Sequence, residues 1–84
     1  MERGWWKKAV PVQVSAATTV NVNNTVQAGR LLLGEWPGKS GPAHVAAMEV
    51  VLEALDNMAD ARHHERARRA FVKAAEEAGI LRET

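Results

Sequence analysis

The sequence predicts an α+β domain: a β-hairpin followed by three α-helices, in the order β-β-α-α-α. Three observations carry this. Val10, Val12 and Val14 alternate with other residues, and the alternation resumes through Val20 and Val22, the period of two half-buried strands. Two later segments repeat small apolar residues at spacings of three and four, the period of a helix face. Turn-forming and capping residues stand between these runs, at Asn23-Asn24, Pro37-Gly38 and Asn57 to Asp60.

The strands are expected over about 9–14 and 18–22. Pairing Val14 with Thr18 sets Val12 opposite Val20 and Val10 opposite Val22, so that every valine lies on one face. Pro11 has no N–H to give to a ladder, which makes its strand an edge at that point. A lone hairpin is marginal in water, so its valine face must rest on helices or on a partner chain.

The first helix is expected over about 25–36. Asn24 and Gln27 form a capping-box-like start, and Pro37-Gly38 forms the stop. Gly29 within it marks a close backbone contact or a weak point of about 1 kcal/mol relative to alanine. The second helix, about 42–57, opens at Ser40-Gly41-Pro42 and carries Ala43, Ala46, Ala47, Val50, Val51, Ala54, Leu55 and Met58 as a stripe. Asn57 is expected to end it in a left-handed conformation. The third, about 60–79, is capped by Asp60, closed by Gly79, and buries Ala67, Ala70, Phe71, Ala74, Ala75 and Ala78. Small residues on both stripes let the two helices pack closely as an antiparallel pair.

Composition limits the classes of function. A chain of 84 residues reads as one small domain, 1–84, with a thin core and a stability of about 5 kcal/mol. It has no cysteine, which excludes disulfides, thiolate metal sites and a cysteine nucleophile, and which fits a reducing cytoplasm. No apolar run approaches the roughly 20 residues of a membrane span, and the opening residues carry no signal-peptide core. The formal charge of +1 favours neither a strongly basic nor an acidic partner.

Few residues offer chemistry. His63 and His64 diverge by about 100° on a helix and cannot face one metal, and His44 lies on another helix. All three read as surface histidines. Ser15 and Ser40 lack a histidine and carboxylate placed to activate them. Gly34, Gly38 and Gly41 around Lys39-Ser40 do not have phosphate-loop spacing. Glu49, Glu53 and Asp56 read as a solvated acidic face.

Two groups remain as candidate interaction surfaces. Arg62, Arg66, Arg69 and Lys73 form a basic stripe at spacings of four, three and four, suited to a phosphate backbone. The same stripe reads more simply as a solvated face laced by Glu65–Arg69 and Lys73–Glu77 pairs. Trp5 and Trp6 precede the first strand and point to opposite sides, so one of them is expected to be exposed near Lys7 and Lys8. Trp36 is expected to close the core.

Several segments together resemble a known family. Pro11-Val12-Gln13-Val14, Trp36-Pro37-Gly38, Gly41-Pro42, Leu52 to Leu55, Ala67-Arg68-Arg69-Ala70-Phe71 and Ala78-Gly79-Ile80 resemble, in that order, the domain of unknown function 982 family of short rhizobial and other alphaproteobacterial proteins. The likeness runs from about Trp6 to Ile80. Asn57 stands where the family pattern suggests glycine, and the region Ala16 to Asn23 is shorter than usual. The resemblance implies an α+β domain in a bacterial cytoplasm and brings no activity with it.

The reading that follows is a non-enzymatic protein-interaction or regulatory module, with no cofactor or metal, partnered by itself as a homodimer or by another protein. The alternative is nucleic-acid or polyanion binding through the third helix.

Overall fold

A computed structural model describes residues 4–34 and 36–82. Strands β1 (Trp5–Ser15) and β2 (Thr18–Asn24) form an antiparallel hairpin, followed by helices α1 (Thr25–Leu33), α2 (Pro42–Leu55) and α3 (Ala61–Ala78). Val10 pairs with Val22 and Val12 with Val20, as the alternation requires. The turn differs from the expectation. Thr18 pairs with Ser15 rather than Val14, across an irregularity between Gln13 and Ser15. That slip leaves only Ala16-Ala17 between the strands, the short loop that hairpins favour.

Pro11 sits on the outer edge of β1, and that edge is covered. The Arg82 N–H donates to the Pro11 carbonyl, and the Gln13 N–H donates to the Ile80 carbonyl, both at 2.8 Å. The main chain of Pro11 therefore faces away from β2, where its missing N–H removes no hairpin bond. Segment 80–82 acts as a short third strand, with Leu81 bridged to Val12 and Ile80 buried. The edge of β1 that Pro11 predicts is thus occupied over Pro11–Gln13 by the chain itself.

The helix ends show where local signals yield to sterics. α1 stops at Leu33, three residues before the expected end, with the Gly34 N–H bonded to the Arg30 carbonyl. A Cβ at Gly34 would lie 2.7 Å from that carbonyl oxygen, so the turn admits only glycine. α2 ends at Leu55, and Asn57 is not left-handed; its side-chain amide instead donates to the Glu53 carbonyl at 2.8 Å. α3 keeps both expected caps, Asp60 accepting from the Arg62 N–H and Gly79 at φ 74°.

The core joins the valine face of the hairpin to the alanine stripes. Val12, Val22, Ala47, Ala54, Ala67, Ala74 and Phe71 are fully buried. Phe71 stands between two tryptophans, Trp6 at 5.6 Å and Trp36 edge-on at 5.8 Å between ring centroids. Trp36 thereby closes the core as its place in the sequence suggests, with its indole N–H donating to the Lys39 carbonyl. α2 and α3 run antiparallel: Glu77 lies against the start of α2 and Arg66 against Glu53 near its end. Among the described residues no helix is long and apolar enough to cross a membrane.

Candidate interaction surfaces

The six residues singled out in the sequence fall on two separate surfaces. Trp5, Trp6 and Arg62 line an open cleft of about 670 Å³ at the start of β1, together with Lys7, His64 and Glu65. Trp6 is buried and Trp5 half exposed, as their alternation predicts. The buried polar groups of this cleft are already engaged. The Trp6 indole N–H donates to Thr25 Oγ1 at 3.1 Å, and Thr25 Oγ1 lies 2.7 Å from His64 Nδ1. His64 Nε2 is 2.8 Å from the Met58 carbonyl, which can only accept, so Nε2 donates there, and the Thr25 hydroxyl that meets Nδ1 also lies 3.4 Å from the Gly4 carbonyl.

Arg66, Arg69 and Lys73 line a shallow groove of about 270 Å³ floored by Ala43, Ala46 and Ala70. The stripe is largely neutralised where it stands. Arg62 lies 3.7 Å from Asp60, Arg66 3.9 Å from Glu53, and Arg69 3.2 Å from Glu65. The Asp60 carboxyl is held below the usual aspartate range, chiefly by the Arg62 N–H that it caps, with His63 and the Arg62 charge adding to this against the opposing effect of desolvation. The Lys73–Glu77 pair expected from spacing is absent among the described contacts. Glu77 turns instead to the start of α2 and accepts from Ala43 N–H at 3.0 Å, Gly41 N–H at 3.1 Å and His44 N–H at 3.2 Å. Those bonds hold its carboxyl below the ordinary glutamate range, the Ala43 N–H contributing most and desolvation opposing.

The histidines are the main correction. His44 and His64 are buried, at 7% and 5% exposure, and only His63 lies near the surface, 3.0 Å from Asp60. Both buried rings pair with backbone carbonyls that local spacing does not reveal. His44 Nε2 donates to Leu32 O at 2.9 Å, and its Nδ1 lies 3.3 Å from Ser40 Oγ. Ser40 thus does have a histidine beside it. The carboxylate of Glu77, however, meets the His44 backbone and not its ring, and no relay reaches the serine. Among the described residues no group of three or more His, Asp or Glu side chains is arranged to hold a metal.

A third surface escaped the sequence reading. Val26 and Leu33 of α1 and Val45 and Leu52 of α2 are exposed by 41% to 55%. Their spacing of seven in each helix puts each pair on one line. The lines converge on the seam between the helices. A Cβ at Gly29 would lie 3.4 Å from Val51 and 3.7 Å from Leu55, so Gly29 and Leu55 mark the seam. Turning α1 away from Gly29 at about 100° per residue meets Leu33, Val26 and then Arg30. Turning α2 in the same sense from Leu55 meets Met48, Leu52, Val45 and then Glu49. His44 lies beside Leu32, and Val51 and Leu55 beside Gly29, so the helices run in opposing senses. Equal turns then bring both flanks to the same side, opposite the core. The result is one aliphatic face with Arg30 along one rim and Glu49 along the other.

The comparisons with known proteins identify a family and add no activity. The model of the family described as "Protein of unknown function (DUF982)" matches residues 8–82, nearly the whole chain. No curated protein and no solved structure matches the chain. A match of that extent shows that the chain belongs to the DUF982 family.

Proposed function

We propose that this domain is a non-enzymatic protein-interaction module and that the aliphatic face of α1 and α2 is its contact surface. The observation that carries the reading is that face itself: four large aliphatic side chains, each 41% to 55% exposed, on adjacent helices of a domain with a thin core. The residues most able to do chemistry support it from the other side. His44 and His64 each use both ring nitrogens within the fold. The basic stripe is a weaker candidate for a polyanion surface, because Arg62, Arg66 and Arg69 already face carboxylates within 4.0 Å.

A photo-crosslinking side chain placed at Leu52, and separately at exposed Glu76 on α3, tests the reading in cells. Cross-linked protein is expected from position 52 and not from position 76. Equal yields, or none from position 52, would overturn it.

A further inference from the structure

The sheet has a second edge, and we propose that it joins two copies of this chain: β2 pairs antiparallel with the partner's β2 about a two-fold axis through Val20. The pairing uses no residue of the α1–α2 face, so it stands apart from the reading just given.

The direction of the main chain in β2 follows from bonds already described. Pro11 and Gln13 give their backbone groups to residues 80–82, so Val10 and Val12 turn theirs toward Val22 and Val20. In β2 the backbone groups of Thr19, Asn21 and Asn23 therefore point away from β1. The Asn23 N–H is taken by Gln27 Oε1 at 3.2 Å. Among the described residues no hydrogen bond outside the hairpin reaches the backbone of Thr19 or Asn21, and both residues are exposed. β2 also lacks what usually blunts an open edge. It holds no charge and no proline, and both irregularities of the ladder put their extra residues on β1. β1 differs on each count, with Lys7, Lys8 and Pro11 along it and residues 80–82 over part of its flank.

The free groups select the register. With the axis through Val20, Thr19 exchanges both N–H···O bonds with the partner's Asn21, and Asn21 does the same with the partner's Thr19. Every free group is used. Val20 meets the partner's Val20 at the axis, and paired residues share a face, so the valine faces of the two copies become continuous. An axis through Asn21 would instead set Thr19 against the partner's Asn23, whose N–H is already engaged. A foreign strand would need side chains to select it, since main-chain bonds alone carry no specificity. β2 offers it only threonine, valine and asparagine. A second copy needs no such selection, because the two-fold and the free groups together fix its register, and uncharged strands meet without repulsion.

Edge substitutions and cross-linking test this on the intact chain. Light scattering from micromolar to millimolar concentration should show a dimer for the parent. Asn21→Pro removes an N–H that points away from β1, and Thr19→Lys places a charge on the edge. Each should raise the dissociation constant by about tenfold or more. Thr19→Lys alters an exposed side chain and should keep the Tm of the parent, so it decides the matter if proline disturbs the strand. The chain has no cysteine, so introduced ones report the register directly. A mildly oxidised mixture of Thr19→Cys and Asn21→Cys chains should give a reducible dimer on a gel, since hydrogen-bonded pairs lie about 5.5 Å apart at Cα, within disulfide reach. Either variant alone should cross-link several-fold less, because like positions then sit on the diagonal, beyond that reach. A parent monomeric throughout the range overturns the proposal and leaves the edge to an extended segment of another protein. A dimer indifferent to both edge substitutions overturns it too, as does a mixture that cross-links no better than either variant alone. The α1–α2 reading fails separately, by the cross-linking at position 52.

Discussion

Glu77, near the end of α3, caps α2 from across the helix pair, its Oε2 3.0 Å from the N–H of Ala43. Gly41 at the N-cap has no side chain to do this, and a Cβ there would lie 2.6 Å from the Glu77 carboxylate. The orphan donors of one helix are thus satisfied by another, with the negative charge at the positive end of the α2 dipole.

Acid should loosen this cap. The folded state holds the Glu77 carboxyl below the ordinary value of 4.5, so it binds a proton less readily than the unfolded chain does. Its contribution is fully present above the unfolded value and is lost as pH falls through the folded one. Tm should therefore drop below about pH 4.5 in the parent. Glu77→Gln should lower Tm by several degrees at neutral pH and remove that part of the acid dependence, as a calorimetric pH series would show.

Thr25 is the hub of a buried relay between Trp6 and His64. Thr25→Val keeps its shape but leaves an indole N–H and an imidazole nitrogen without partners. Urea denaturation should show a loss of about 2–6 kcal/mol, since each of the two buried orphans carries a penalty of about 1–3 kcal/mol. Thr25→Ser keeps the hydroxyl and should lose much less.

Gly38 lies on the end of α3, where an added Cβ would come 2.5 Å from Ala78 Cβ and 2.9 Å from its carbonyl oxygen. Its φ is not in the left-handed region, so the constraint is close approach and not backbone strain. Gly38→Ala should destabilise the domain by about 1–3 kcal/mol, as overpacking does. Adding Ala78→Gly should recover only part of this, because the carbonyl contact remains.

Segment 80–82 covers the outer edge of β1. Removing everything after Gly79 should abolish the bonds to Pro11 and Gln13 and expose an unpaired strand edge. Such a chain should show a lower Tm and concentration-dependent aggregation in light scattering, and an added peptide carrying Ile80 to Arg82 should suppress both.

The parts of this fold legible in the sequence are those set by a short repeat. The valine alternation gave two of the hairpin pairs, and the alanine stripes with Asp60 and Gly79 gave α3 almost to the residue. What was illegible depends on meetings between distant segments. The run Leu31-Leu32-Leu33 offers three equivalent side chains, yet only Leu32 is buried, and α1 ends where Gly34 meets the Arg30 carbonyl. His44 and His64 looked like surface residues because their partners, Leu32, Met58 and Thr25, lie up to 39 positions away. Of the six candidate site residues, Arg62, Arg66 and Arg69 stand against carboxylates, and of these contacts only the Glu65–Arg69 pair follows from spacing along one helix. The aliphatic face had a signal, the spacing of seven shared by Val26–Leu33 and Val45–Leu52, though only the direction of the seam gives it meaning.

The pairing of β1 with residues 80–82 also bears on when this protein folds. A growing chain presents the hairpin first, and the bonds to Pro11 and Gln13 close only after some seventy further residues have left the ribosome. Until then the valine strand has one bare flank, and translation speed past α2 sets how long it stays so. Contacts this distant along the chain also slow the folding search. Early release of the nascent chain, before Ile80 is added, should therefore be far more damaging to solubility than its small loss of mass suggests.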